Sequence, residues 1–155
     1  MSFQITGLPL SQFSSLFALS DEELARQGAA RVTADKQPGF PCRVSLQDAE
    51  VGEKLILLSY EHLPVASPYR SRHAIYVRES TTEAHLEIDE VPQQLRSRLL
   101  SLRAFDSHGM MKAAEVVPGT AIEKLIEQMF SDPAVTLIHV HNAKPGCFAA
   151  RVDRA

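Results

Sequence analysis

Residues Leu99 to Asp153 read LLSLRAF-DSHG-MMKAAEVV-PG-TAIEKLIEQMF-SDP-AVTLIHVHN-AKPGC-FAARVD. Two apolar runs, Leu99–Phe105 and Met110–Val117, flank Asp-Ser-His-Gly, a turn composition that joins antiparallel strands. Ile122, Leu125, Ile126, Met129 and Phe130 recur at helical spacing and stop before Pro133, and Thr120 with Glu123 has the form of a capping box. A second pair of strands, Val135–Asn142 and Phe148–Asp153, flanks Ala-Lys-Pro-Gly-Cys, in which Pro145 and Gly146 suit the central positions of a type II turn. The order hairpin, helix, hairpin predicts an α+β fold with a mostly antiparallel sheet.

Toward the N-terminus the signals shorten. Leu10, Phe13, Leu16 and Phe17 follow Pro9 at helical spacing, and Ser20 with Glu23 forms a capping box that opens a second short helix ending at Gly28. Lys36 to Arg43 is a connector, because Pro38 and Pro41 remove backbone donors. Leu55–Tyr60 and Ala74–Val77 are continuous apolar runs of strand length. Glu61 to His73 then stands as the longest loop, carrying Pro64, Pro68, Tyr69, Arg70 and Arg72, and is the first place to look for a binding loop. The sum is a sheet of about six strands, one long amphipathic helix on a face, and short helices at the N-terminus.

With 155 residues, 45% hydrophobic and 23% charged, the chain is expected to fold as a single domain over residues 1–155. A net charge of −3 leaves no excess cation to release counterions from a phosphate backbone, so nucleic acid is not an expected partner. No run of about 18 apolar residues predicts a membrane span, and the uncharged first twenty residues lack the basic flank of a signal peptide. The two cysteines, Cys42 and Cys147, imply no disulfide framework and fit a reducing cytoplasm. The protein is expected there as a monomer or homodimer.

Pro41-Cys42-Arg43, Pro68-Tyr69 leading into Ile75-Tyr76-Val77, Arg103-Ala104-Phe105-Asp106 with Gly109-Met110, and Gly146-Cys147-Phe148 through Arg151 occur in order along the chain. In these motifs the sequence resembles domain of unknown function family 1203, a bacterial family, from about residue 3 to residue 154. The resemblance implies a small bacterial α+β protein. It implies no activity, ligand or cofactor.

Several side chains carry chemistry. His139 and His141 lie two apart on a strand and so share a face, as metal-binding histidine pairs can. In the simplest register Asn142 pairs with Cys147 and His141 with Phe148, which turns Cys147 to the other face. Neither Cys-x-x-Cys nor His-Glu-x-x-His occurs, so the histidines are expected as hydrogen-bonded residues rather than ligands, with no stoichiometric zinc and no cofactor. Catalysis by either cysteine would need a histidine within reach. Arginine on inward-facing strands is the remaining signal. A four-residue turn places Arg103 opposite Lys112, a like-charge pair that favours a shared anion, with Asp106 nearby. The same register puts Arg151 on the face of Asn142 and Val140.

These readings lead to a binding module for a small anionic metabolite, with Arg43, Tyr69, Arg103, Asp106, Asn142, Cys147 and Arg151 as its ligand-binding residues. An enzyme using Cys or His chemistry and a protein-interaction domain are the alternatives.

Overall fold

The computed structural model describes all 155 residues, Met1–Ala155. Its strands form two antiparallel sheets. In chain order they are β1 (Phe3–Thr6), β2 (Ala30–Thr33), β3 (Lys54–Leu63), β4 (Ser71–Arg78), β5 (Leu99–Phe105), β6 (Met111–Pro118), β7 (Leu137–Asn142) and β8 (Phe148–Arg154). One sheet runs β1-β8-β7-β5-β6 and the other β2-β3-β4. The α+β class is as expected, but the single sheet of about six strands is not. Alternation shows which side chains share a face, while the choice of neighbouring strand depends on contacts far apart in sequence.

The helices are α1 (Asp21–Arg26), α2 (Gln93–Arg96) and α3 (Ile122–Phe130), with 3-10 turns at Leu10–Gln12, Ser14–Ala18 and Gly119–Ala121. The α1 capping box forms: the Glu23 amide donates to Ser20 Oγ at 3.2 Å, and the Ser20 amide donates to Glu23 Oε2 at 2.7 Å. Gly28 stops it at φ +72°, a conformation glycine adopts without strain. The expected box at α3 does not form. Thr120 lies in the preceding 3-10 turn, and the Glu123 carboxylate pairs with Arg96 instead. That helix is amphipathic but short, nine residues, not the long one anticipated. It buries Ile122, Leu125, Ile126, Met129 and Phe130 against Leu100, Leu102, Ile138, Val140 and Val152, about 1.5–3 kcal/mol for each fully buried side chain.

Two bulges decide what the opposite sheet face presents. In the β5–β6 hairpin the Asp106 carboxylate accepts from the amides of His108 and Met110, which lengthens the turn. The partners become Phe105–Met111 and Ala104–Ala113, so Lys112 is the extra residue and Arg103 lies opposite Ala114. The expected Arg103–Lys112 pair is absent. In the β7–β8 hairpin His141 pairs with Phe148 and the Asn142 amide donates to the Cys147 carbonyl at 2.9 Å, as the simple register requires. Ala149 is then bulged, His139 pairs with Arg151, and Arg151 turns to the histidine face rather than to that of Val140.

Both ends of the stretch Glu61 to His73 are strand: Glu61 pairs with Arg72 and Tyr60 with His73, and the Arg70 guanidinium forms an ion pair with the Glu61 carboxylate. A bulge between Glu61 and Leu63 leaves His62 as its extra residue. Only seven residues, 64–70, connect the two strands. No helix is long and apolar enough to cross a membrane.

Candidate functional site

Strand periodicity places His139 and His141 on the face of their sheet turned away from α3, and His62 and His73 meet them from the other sheet. His62 Nδ1 lies 3.1 Å from His139 Nδ1, and His62 Nε2 lies 2.7 Å from His73 Nδ1. Phe148 stacks on His62 with the rings 8° from parallel and 4.9 Å apart. His62, His139 and His141 are 9%, 2% and 0% exposed. Burial lowers all their pKa values, to about 4 for His62, about 2 for His139 and about 3 for His141, with neighbouring histidines and Arg103 adding to it. His73 is lowered by burial and by Arg103 and Arg43. The cluster is therefore neutral at physiological pH. His141 Nδ1 is 3.0 Å from the Gly146 carbonyl oxygen, which can only accept, so Nδ1 carries the proton. Its Nε2 is buried without a partner.

Beside this cluster a cleft of about 710 Å³ opens between the connector and the β7–β8 turn. Arg43 forms part of its wall and is 1% exposed. It donates from Nε to the Phe148 carbonyl at 2.7 Å, from Nη1 to the Pro41 carbonyl at 2.5 Å, and from Nη2 to Cys147 Sγ at 2.9 Å. No carboxylate touches it, and burial lowers its pKa. Asn142 donates from Nδ2 to the same sulfur at 3.6 Å, while its Oδ1 is buried without a partner. Lys36, Arg98 and Lys144 also line the cleft, and no aspartate or glutamate does. Asp48 fixes Arg98 through two hydrogen bonds, at 2.6 and 3.0 Å. A second cleft of about 590 Å³ has the opposite balance: Asp48, Glu50, Glu83 and Glu90 line it around Arg78.

Of the residues singled out from the sequence, Arg43, Asn142 and Cys147 come together here. Arg103 and Arg151 instead flank His139 from β5 and β8. Arg151 is paired with Asp153 at 2.7 Å. Burial lowers the pKa of Arg103, with no carboxylate acting against it. Asp106 is spent on its own turn, and Tyr69 packs its ring against Phe105, 6.1 Å between centroids. Sequence reasoning missed His62 and His73, which it assigned to a loop, and the cations Lys36, Arg98 and Lys144. The available signal was that two histidines flank one hairpin connection, eleven residues apart.

A family model described as Protein of unknown function (DUF1203) matches residues 39–154. No curated protein and no solved structure matches the chain.

Proposed function

We propose that this chain, which belongs to the DUF1203 family of proteins of unknown function, binds a small anionic metabolite in the Arg43–Cys147 cleft. One observation carries the reading: a fully buried arginine without a carboxylate partner stands in a cleft whose other charges are all positive, in a protein of net charge −3. A buried cation is costly unless an anion meets it. Arginine has five N–H donors, and three are used here. The other two, with Lys36 and Lys144 nearer solvent, suit a carboxylate or phosphate. Asn142 Oδ1 adds an acceptor without a donor, so the ligand class is an acid that also carries a hydroxyl or amine. The cleft's size suits a metabolite rather than a polymer.

The test is thermal unfolding in increasing inorganic phosphate, with chloride at matched ionic strength as control. Binding to the native state raises the melting temperature progressively, by about 2.7 kcal/mol of stability at a hundredfold excess over Kd. The double variant Lys36→Glu, Lys144→Glu changes two exposed side chains and should remove the phosphate-specific part of the shift, as should Arg43→Met. An equal response to chloride, or a response unchanged in these variants, would overturn the reading.

A second reading rests on Cys147. Cys147 lines the cleft and is partly exposed, its sulfur accepts from a guanidinium and an amide, and reactive cysteines occupy electropositive, partly exposed surroundings of this kind. His73 is the histidine that lines the same cleft and is the general base available there. Turnover-dependent labelling of Cys147 by an ester or thioester of a small acid would favour this reading over simple binding.

A further inference from the structure

We infer that His62, His139 and His141 form a binding site for one divalent transition-metal ion, a site separate from the cationic cleft and independent of the anion-binding reading. One ring nitrogen from each of the three lies within 4.8 Å of the others. The His62–His139 separation, 3.1 Å, is already close to the roughly 3.3 Å that two nitrogens keep on a tetrahedral zinc with bonds of about 2.0–2.1 Å. Little movement is needed for that pair.

The hydrogen bonds around the cluster leave His141 Nε2 bare and tie the other two nitrogens, His62 Nδ1 and His139 Nδ1, only to each other, a bond that coordination would replace. His141 is anchored through Nδ1–H to the Gly146 carbonyl, so the nitrogen directed inward is the unpartnered Nε2. His62 reaches His73 through Nε2; with the proton on that nitrogen, Nδ1 keeps its lone pair toward the centre, and His139 coordinates through Nδ1 once the proton it shares with His62 moves to its Nε2. An outer hydrogen bond that fixes tautomer and ring orientation is what ligating histidines ordinarily have. The orphan Nε2 is itself an argument, because a buried nitrogen that has lost its water and found no partner is destabilising. Coordination would remove that cost.

The donor set selects the ion. Imidazole nitrogens suit Zn²⁺, Cu²⁺ and Ni²⁺, whereas Mg²⁺ and Ca²⁺ need oxygen ligands that are absent from the cluster. The surrounding charge sets a condition. Arg103 and Arg151 flank His139, Arg43 acts on His73, and no carboxylate is among the three ligands. A dication here therefore needs an anion, hydroxide or a small ligand, in its fourth position. Arg103, on the strand next to His139 and without a carboxylate partner, is the side chain placed to hold that anion. Three protein ligands with one open position is the arrangement of reactive rather than purely structural zinc sites.

The experiment titrates chelator-dialysed protein with Co²⁺ and Zn²⁺, following cobalt absorption and calorimetric stoichiometry. The site predicts one equivalent of either ion, cobalt absorption of tetrahedral intensity, competition between the two, and no competition from Mg²⁺. His73→Gln leaves all three ligands but loosens the orientation of His62, so it should weaken affinity about 10–100-fold. The double variant His62→Gln, His141→Gln should abolish binding, with circular dichroism reporting whether it folds. If that variant is unfolded, the natural protein and His73→Gln decide the matter. Absence of stoichiometric binding by the natural protein, octahedral-type cobalt absorption, or affinity unchanged in His73→Gln would each overturn the inference.

Discussion

Acid should destabilise this protein well above the pH at which carboxylates protonate. In an unfolded chain each histidine titrates near 6.5, whereas in the native state His62, His139 and His141 stay neutral down to about 4, about 2 and about 3. Because the folded values are depressed, their contribution is fully present above pH 6.5. It is lost as pH falls below that, since the unfolded state takes up protons that the native state refuses. The surroundings reinforce the sign: Arg103 and Arg151 flank His139, Arg43 acts on His73, and the value for His73 is lowered too. Each neutral histidine costs about 1.4 kcal/mol per pH unit below 6.5, so the three together remove about 6 kcal/mol by pH 5. That is comparable to the whole stability of a typical domain, about 5–15 kcal/mol. The lowered carboxylates, Glu53, Glu61, Asp106 and Glu123, act in the same direction, but only below about pH 4.5. The window from 4.5 to 6.5 therefore belongs to the histidines. Urea unfolding of chelator-treated protein across that window should give a stability slope of about three protons taken up on unfolding. A slope below one proton would show that the cluster is hydrated or already charged, and would refute the reasoning.

Three substitutions test the frame around the site, each by denaturant unfolding. Ser20→Ala removes the hydroxyl that accepts from the Glu23 amide in the α1 capping box, leaving the backbone bond from residue 20 to the Glu23 carboxylate, and should cost about 1 kcal/mol; no measurable loss would mean that the helix end is held by something else. Asp48→Asn breaks the largely buried, two-bond pair with Arg98 and should cost about 3 kcal/mol, because it leaves a buried cation behind. In Gly119→Ala the new Cβ would sit 1.9 Å from the Leu95 carbonyl oxygen, so the backbone must shift; a loss of about 2 kcal/mol or more is expected, and a neutral result would refute the close approach.

Much of the local structure was legible from the chain. Ser20 with Glu23 marks a helix start, and the closing register of the β7–β8 hairpin follows from a four-residue turn that pairs His141 with Phe148. What failed shares a cause. Local patterning cannot anticipate a one-residue bulge, and a single extra residue reverses every side chain beyond it. The bulge at Ala149 moved Arg151 to the face of His139, and the lengthened Asp106 turn removed the Arg103–Lys112 pair. The site was half visible: Arg43, Asn142 and Cys147 do meet, across more than a hundred residues of chain. The histidine pair was weighed only against the cysteines, because His62 and His73 had been assigned to a connection. Their meeting with His139 and His141 depends on two sheets packing together, which neither sheet's own pattern records.

The most direct measurement of the anion-binding claim is the rate at which iodoacetamide alkylates the natural protein as inorganic phosphate is raised at constant ionic strength. Cys42 is fully buried whereas Cys147 is partly exposed in the cleft, so one thiol per chain should react, and peptide mapping should locate it at Cys147. An anion against Arg43 shields that sulfur. The account predicts a rate that falls saturably with phosphate, with a midpoint matching the phosphate dependence of the melting temperature. An alkylation rate independent of phosphate, with Cys147 reacting normally, would contradict it.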